Sequence, residues 1–170
     1  MSDTQVETIE RTLVLLKPDA VKRGLMGEII TRFEKVGMKI VGMKLKQADT
    51  EHAMKHYTED IAIRRGEAVR KVLVDFISAS PVLALVLEGV DAIENVRMMV
   101  GPTEPKSAAP GTIRGDYSHV SYRRADATGK AVANLIHASA DAKDAAYEIP
   151  LWFSEEELCE YKTVHEEHTF

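Results

Sequence analysis

The sequence has few of the residues and segments that mark several protein classes. Cys159 is its one cysteine, so an internal disulfide is excluded and nothing points to a secreted, disulfide-stabilised fold. No apolar run approaches the roughly 20 residues that a membrane-spanning helix needs. The polar segment Met1–Glu10 also lacks the apolar stretch of a signal peptide. We therefore expect a cytoplasmic protein with no membrane partner.

Several motifs of phosphate and metal sites are missing as well. The sequence contains no GxxxxGK[ST] loop, no GxGxxG and no protein-kinase motif set. It also contains no CxxC pair and no HExxH, so we expect no metal held by protein side chains. A protein that handles phosphate without these motifs must use side chains together with a magnesium ion that its substrate carries in.

The composition is that of one globular domain with an acidic surface. The 170 residues are 45% apolar and 29% charged, which is ordinary for a folded domain with its own core. We expect a flexible tail over residues 1–9 and a single domain over residues 10–170. The net charge of -5 argues against a general nucleic-acid partner, whereas binding one nucleotide needs only a few well-placed cations.

The hydrophobic pattern predicts strands alternating with helices. Buried strands are predicted at Leu13–Leu16 and Val82–Leu87, with a fourth strand near Leu135. The alternation over 41–46 predicts a strand with one solvent-facing side, formed by its lysines. Helices are predicted over 25–36, 50–57, 68–77, 90–100, 141–147 and from Ser154, with loops over 101–111 and 117–130. Two strand–helix–strand units fit an α+β sandwich of the ferredoxin-like type, a four-stranded antiparallel sheet with helices packed on it.

One short segment carries a residue type suited to covalent chemistry. Asn134-Leu135-Ile136-His137-Ala138-Ser139 places a histidine after two apolar residues, which is typical of a side chain delivered by a strand end. An imidazole with its ordinary pKa of about 6.5 is largely a neutral nucleophile at neutral pH. Taken alone, this segment leaves a structural or surface role for His137 open.

Five further stretches, in a fixed order, place that segment in a wider pattern. They are Glu10-Arg11-Thr12 with Lys17-Pro18-Asp19-Ala20-Val21 and Arg23-Gly24-Leu25, Gly27-Glu28-Ile29-Ile30, His56-Tyr57, Pro110-Gly111-Thr112-Ile113-Arg114-Gly115-Asp116, and Glu148-Ile149 with Leu151-Trp152-Phe153. From Glu10 to the C-terminus the chain resembles the nucleoside diphosphate kinase family, with Ala138 where glycine is usual. The resemblance implies a phosphotransferase that moves the terminal phosphoryl group of a nucleoside triphosphate, such as ATP or GTP, to a nucleoside diphosphate, with Mg²⁺ held by the nucleotide phosphates.

The resemblance also implies roles for individual residues. His137 would form a phosphohistidine at its pros nitrogen, which gives ping-pong kinetics. Glu148 would orient the imidazole, Ser139 would hydrogen-bond that carboxylate, and Tyr57 would pack beside the ring. The phosphates and the sugar would be bound by Lys17, Arg97, Thr103, Arg114 and Asn134. The other five histidines, His52, His56, His119, His165 and His168, receive structural or solvent-facing roles.

Two stretches depart from the family, and both border the expected base site. The segments between Tyr57 and Val69 and between Asp116 and Asn134 are longer than usual. Val69 and Ala131 stand where the family commonly has a phenylalanine and a valine that clamp the base. Because small aliphatic side chains stack less well than an aromatic ring, we expect altered base contacts, with Tyr122 or Arg123 as substitutes.

Plainer roles also fit these residue types. Lys17 and Arg97 fit surface charges, Thr103 a turn residue, Tyr57 a core residue and Glu148 a solvated helix residue. A binding module that kept the fold and lost turnover is a second hypothesis, and a nucleic-acid-binding protein is a third, disfavoured by the acidic charge. Formation of a phosphoenzyme would distinguish the kinase from the binding module. The resemblance further implies a homo-oligomer, with a hexamer favoured over a tetramer and Pro105 in the loop between subunits; the sequence itself does not rank these two states.

Overall fold

The computed structural model describes residues 9–169 and contains one four-stranded sheet. The strands lie in the order β2-β3-β1-β4, and each neighbouring pair is antiparallel. Within the described residues they are β1 (Ile9–Leu16), β2 (Lys39–Lys46), β3 (Val82–Val90) and β4 (Ile136–Ala138). The predicted ferredoxin-like α+β sandwich is confirmed, because the antiparallel pairing and strand order are those of two strand–helix–strand units on one sheet.

Helices of very different length connect and flank these strands. In chain order they are α1 (Pro18–Lys22), α2 (Met26–Lys35), α3 (Thr50–His56), α4 (Glu59–Arg65), α5 (Glu67–Ser78), α6 (Ala92–Val100), α7 (Ile113–Tyr117), α8 (Tyr122–Thr128), α9 (Ala142–Trp152) and α10 (Glu166–Thr169). Single 3-10 turns cover Pro105–Ser107 and Glu155–Glu157.

The sheet has a hydrophobic core on each face. Strand β1 explains why, since Leu13 and Leu15 point to one face while Val14 and Leu16 point to the other, and all four are fully buried. One core joins the sheet to α1, α2, α6 and α7, and the other joins it to α3, α5 and α9. A central strand covered on both sides must be apolar throughout, which is why this run reads as a continuous hydrophobic segment.

The prediction for the solvent-facing side of β2 is wrong. Met43 and Leu45 are 56% and 57% exposed, whereas Lys44 and Lys46 lie over the rings of Phe153 and Trp152. The register slips between Ile40 and Gly42, where an extra residue interrupts the pairing with β3. A bulge of this kind reverses the alternation beyond it, so the apolar side chains face outward.

Two other predictions need correction. The stretch 117–130 is not a continuous loop, because it contains helix α8. The helix after β3 is present, but its predicted start signature at Asp91 makes no side-chain cap. Asp91 has a left-handed backbone with φ 45, and the carboxylate of Glu10 instead accepts a hydrogen bond from the Ile93 amide at 3.0 Å. The cap therefore comes from a neighbouring strand, which sequence spacing cannot reveal.

The remaining predicted elements are confirmed to within a few residues. Helix α9 begins at the Asp141 cap and continues to Trp152, beyond the predicted Tyr147. The turn after Ser154 has the predicted capping box with Glu157. Most of the expected N-terminal tail lies outside the described residues, and Ile9 already belongs to β1. Across residues 9–169, no helix combines the length and apolar character needed to cross a bilayer.

Candidate active site

A cleft of about 840 Å³ lies between the helices and the end of the sheet formed by β1 and β4. Eight of the ten residues proposed from the sequence line it: Lys17, Tyr57, Val69, Arg97, Thr103, Arg114, Asn134 and His137. The other two, Ser139 and Glu148, are buried and contact His137 directly or through one another. Four helices, one strand and several loops thus bring residues that are far apart in sequence to one place.

The imidazole of His137 is oriented by a buried carboxylate. Its Nε2 atom lies 2.9 and 3.0 Å from the two oxygens of Glu148. Since a carboxylate only accepts hydrogen bonds, Nε2 carries the ring proton and Nδ1 keeps its lone pair. The side chain of His137 is 22% exposed, so the ring borders the cleft while its Nε2 edge is held from behind.

Ser139 fixes the position of that carboxylate. Its hydroxyl donates to Glu148 Oε2 at 2.6 Å and accepts from the Leu13 amide at 3.2 Å. Ser139 is fully buried, so both hydrogen bonds are shielded from water. The orientation of His137 is therefore tied, through Glu148 and Ser139, to the backbone of the central strand β1.

A strained turn precedes the histidine. Leu135 has φ 71, an uncommon value for a side chain of its size, and the Ile136 amide donates to the Asn134 carbonyl at 2.8 Å. Two contacts hold the turn: the Leu135 amide donates to Asp19 at 2.9 Å, and the Leu135 carbonyl accepts from the Lys17 amide at 2.8 Å. The turn allows Asn134 and His137 to face the same cleft although they are three residues apart.

Arg114 holds two walls of the cleft together. Its guanidinium donates to the carbonyls of Asn134 at 3.2 Å, Gly101 at 2.7 Å and Ile136 at 2.6 Å. Burial lowers the pKa of Arg114 to about 10, and the nearby Arg97 cation acts in the same direction. Arg114 remains charged at neutral pH, and a guanidinium with five donors keeps some for a ligand.

Lys17 lies deep in the cleft beside Asn134. Its ammonium donates to Asn134 Oδ1 at 2.8 Å, and the Asn134 amide in turn donates to the Thr103 carbonyl at 2.9 Å. Burial, assisted by the charge of Arg114, lowers the pKa of Lys17 to about 8. No carboxylate of residues 9–169 lies at salt-bridge distance from this ammonium, so an anion that enters the cleft would stabilise its charged form.

The other proposed residues lie at the cleft with different degrees of exposure. Arg97 is exposed, and its guanidinium makes no hydrogen bond with any residue between 9 and 169, which leaves it available to a ligand. Tyr57 is buried, and burial beside Glu148 raises the pKa of its hydroxyl well above its usual range. Thr103 and Val69 lie on the open walls.

His56, for which the sequence predicts a structural or solvent-facing role, is buried beside His137. Its ring lies edge to face against the ring of His137, with centroids 4.6 Å apart, and His56 Nδ1 is 3.9 Å from Glu148. Complete burial, with neighbouring His137 and Lys17, lowers the pKa of His56 well below its usual value. The His56-Tyr57 pair was the available signal, because both residues belong to one of the stretches shared with the family.

Within residues 9–169, one group of side chains that includes His137 could ligate a cation. His56, His137 and Glu148 each offer an atom within 4.8 Å of the others. Both oxygens of Glu148 already contact His137, and one also accepts from Ser139. Among cleft-lining residues in the described part of the chain, Asp126 is the one carboxylate, so the cleft itself is suited to anions.

A sequence model described as nucleoside diphosphate kinase matches residues 10–158 of this chain. The chain belongs to the nucleoside diphosphate kinase family. A nucleoside diphosphate kinase of Borreliella burgdorferi is 49% identical over 155 residues, which cover 91% of this chain and 93% of the relative. The enzyme is therefore a phosphotransferase that binds nucleotides.

Solved structures of the family have the same fold. A transition-state mimic of the nucleoside-diphosphate kinase from Borrelia burgdorferi, with bound vanadate and ADP, superposes with a TM-score of 0.93 at 47% identity, covering 95% of this chain and 97% of that one. A halophilic nucleoside diphosphate kinase from Halobacterium salinarum in complex with CDP gives 0.77 at 41% identity, covering 93% and 96%.

Proposed function

We propose that this kinase transfers the terminal phosphoryl group of a nucleoside triphosphate to Nδ1 of His137, and from there to a nucleoside diphosphate. In the first half-reaction, the Nδ1 lone pair forms a bond to the terminal phosphorus while the bond to the bridging oxygen breaks. The electron pair of that bond leaves with the nucleoside diphosphate. A second nucleoside diphosphate then attacks the phosphohistidine in the reverse sense, which gives ping-pong kinetics.

The hydrogen bond between His137 Nε2 and Glu148 is the observation that supports this proposal most strongly. Attack by a neutral ring places positive charge on the imidazole, because Nε2 keeps its proton as Nδ1 bonds to phosphorus. The Glu148 carboxylate stabilises that charge, and Ser139 keeps the carboxylate in position. No proton has to leave the ring in either half-reaction.

We assign the phosphate contacts to Lys17, Arg97, Thr103 and Arg114. Charge in the transition state of phosphoryl transfer spreads over the equatorial oxygens, so rate acceleration depends on positioned donors and cations. Two features are expected of groups that bind an anionic ligand: the lowered pKa of Lys17, and the Arg97 guanidinium that makes no hydrogen bond within residues 9–169. Tyr57 keeps its proton at working pH and serves as a further donor beside His137.

We assign the sugar and base contacts to residues that line the same cleft. Lys17 and Asn134, already hydrogen-bonded to each other, would bind the sugar hydroxyls. Val69, 38% exposed on α5, and Ala131 both line the cleft and would border the base. A site that reads mainly sugar and phosphate accepts many bases, so ATP and GTP are both expected donors.

We propose Mg²⁺ as the cofactor, held by the phosphates of the bound nucleotide. The cleft walls present cations and amides, and Asp126 is their one carboxylate within residues 9–169, which suits a metal that arrives with its phosphate ligands. Such an ion neutralises part of the phosphate charge, while the side chains of this chain position the terminal phosphorus.

We further propose that the kinase works as a homo-oligomer, a hexamer rather than a tetramer, in the cytoplasm where nucleotides are abundant. Strand β2 is an edge strand that exposes Met43 and Leu45, a combination that natural proteins usually cover. Pro105 begins the 3-10 turn Pro105–Ser107, and its fixed backbone would hold the exposed residues of that turn rigid for a subunit contact. Sedimentation equilibrium decides the stoichiometry, and a monomer at micromolar concentration would refute the proposal.

The central experiment is incubation with ATP and Mg²⁺ followed by intact-mass analysis without acid. The expected result is a gain of one phosphoryl group that is lost in acid, is removed by added nucleoside diphosphate and is absent in His137→Ala. Nucleotide binding without a phosphoenzyme would refute the shuttle and favour a module that has lost turnover. His119→Ala, at an exposed histidine outside the cleft, is the matched control and should label normally.

A further inference from the structure

Helices α4 and α8, which belong to the two segments expected to depart from the family, meet at the cleft. Arg65 ends helix α4, and Tyr122 begins helix α8. The guanidinium carbon of Arg65 lies 5.5 Å from the centroid of the Tyr122 ring, and both residues line the cleft. Because the two helices come from separate parts of the chain, this cation–π contact links two walls of the cleft.

Helix α8 is fixed in this position by the loop that also carries Thr103. The carboxylate of Glu104 accepts a hydrogen bond from the Tyr122 amide at 2.9 Å, and the Lys106 amide donates to the Val120 carbonyl at 3.1 Å. Ser121 caps the helix by accepting from the Arg124 amide at 3.3 Å. These contacts fix the backbone at the start of the helix, from which the Tyr122 ring lines the cleft and contacts Arg65.

The cleft otherwise offers little aromatic surface to a planar ligand. Apart from the Tyr122 ring, the aromatic side chains among its lining residues within 9–169 are Tyr57 and His137. Tyr57 is buried with its ring against His56, at a centroid distance of 4.8 Å. Away from His137 the remaining wall is mostly aliphatic, formed by Ala68, Val69, Val72, Leu73, Val100, Ala125, Ala131 and Val132.

We propose that Tyr122 provides the aromatic surface on which the base of a bound nucleotide packs, with Arg65 covering the opposite face of the ring. A phenol ring has two faces, and a cation on one leaves the other for an aromatic ligand. Tyr122 is half-buried, which is the exposure expected of a ring that keeps one open face. The stacked order is then Arg65, Tyr122 and base.

This arrangement makes Tyr122 a specificity-determining residue, and the inference rests on the proposed nucleotide cleft. A purine presents more ring area than a pyrimidine, so the stacking contact favours ADP over CDP. Arg123, the neighbouring residue, is exposed and is not among the residues that line the cleft. The two candidates from the sequence are thereby separated: the ring of Tyr122 faces the ligand, and the Arg123 guanidinium does not.

Calorimetric binding of ADP, CDP and inorganic tripolyphosphate to the full chain tests the inference. Tyr122→Ala should weaken ADP binding by roughly tenfold, weaken CDP binding less, and leave tripolyphosphate unchanged. Tyr122→Phe should bind like the wild type, since the ring is retained. Arg65→Ala should weaken ADP binding by about threefold through loss of the cation–π contact. Arg64→Ala and Arg123→Ala are matched controls at exposed neighbours outside the cleft.

Each result has a defined meaning. Wild-type ADP affinity in Tyr122→Ala overturns the stacking role, provided that tripolyphosphate binding verifies a folded site. Equal weakening of ADP and tripolyphosphate by Arg65→Ala would make Arg65 a phosphate ligand and overturn its role as a support for the ring. If the wild-type protein binds neither ADP nor tripolyphosphate, the proposed function itself fails, independently of Tyr122.

Discussion

The ring of His56 meets the ring of His137 edge to face, with centroids 4.6 Å apart and an interplanar angle of 85°. His56 is also within hydrogen-bonding reach of Trp152, whose indole N–H lies 3.4 Å from His56 Nδ1. A hydrogen bond accepted at Nδ1 requires a neutral ring, in agreement with the lowered pKa of His56. The proposed nucleophile is therefore flanked by an uncharged imidazole and not by a second cation.

The buried neutral state of His56 should make the protein sensitive to acid. Below about pH 6.5 the unfolded chain binds a proton at His56 that the folded chain does not, so stability falls as pH decreases. When the pH is lowered from 7 to 5, the unfolding free energy of the wild type should fall further than that of His56→Gln, by up to about 2 kcal/mol. Urea unfolding at both values measures this, with His119→Gln as the exposed control. If the unfolding free energies of His56→Gln and the wild type change with pH to the same extent, the prediction is contradicted.

The carboxylate of Glu148 should matter for the rate of phosphorylation more than for nucleotide binding. A glutamine amide at this position can donate to Nε2, which would move the ring proton to Nδ1 and remove the lone pair needed for attack. Glu148→Gln should slow phosphoenzyme formation roughly 100-fold or more, with ADP affinity close to wild type. Rapid-quench intact-mass measurements follow the rate. Glu155→Gln, at an exposed carboxylate, should react normally, and an undiminished rate in Glu148→Gln would exclude the orienting role.

Local sequence signals predicted the parts of the fold whose stability comes from nearby residues. Strand β1 is apolar because both of its faces are buried, and α9 begins at the Asp141 side chain, which accepts from the Asp144 amide at 2.8 Å. Such features are visible as runs, periodicity and caps. The set of site residues was predicted by resemblance to the family, because the ten residues lie on separate elements and no spacing rule joins them.

Features that depend on distant contacts were not predictable in this way. Helix α8 has one buried side chain, Ala125, so it shows no apolar period, and its start is held by Glu104 from another loop. The bulge in β2 reverses the exposure of Met43. His56 reaches His137 because α3 packs on α9, a relationship that a single sequence does not display.

Lys17 should make nucleotide binding depend on pH in the alkaline range. Its pKa of about 8 in the free protein means that the ammonium loses its charge as pH rises through that value. The affinity for ADP should therefore fall by about tenfold between pH 7 and pH 9, and binding near pH 8.5 should be accompanied by proton uptake. Titration calorimetry in buffers of different ionisation enthalpy measures both effects.

Two variants separate this effect from loss of structure. Lys17→Met should bind ADP more weakly and without the pH step, whereas Lys22→Met, at an exposed lysine, should keep it. Unfolding cannot mimic the result, because the unfolded chain holds more protons at Lys17 between about pH 8 and 10.5, so this group increases stability as pH rises. A pH-independent affinity in the wild type would contradict the assignment of Lys17 as a phosphate ligand.

Gly115 should be intolerant of any side chain because the loop before Arg114 passes directly over it. A Cβ atom at this position would lie 2.0 Å from the carbonyl oxygen of Ala109 and 2.9 Å from the Thr112 hydroxyl. Backbone atoms cannot rotate away as a side chain does, so Gly115→Ala must displace the loop and with it the guanidinium of Arg114. We expect the unfolding free energy of Gly115→Ala to fall by about 1–3 kcal/mol, and its affinity for nucleotide to fall by a larger fraction than its stability.

Gly27→Ala is the matched control, since no atom lies within 4 Å of a Cβ there and the residue is helical, so it should be neutral or stabilising. Denaturant unfolding and ADP titration of both variants measure the two effects, and equal stability of Gly115→Ala and Gly27→Ala would show that the loop adjusts without cost.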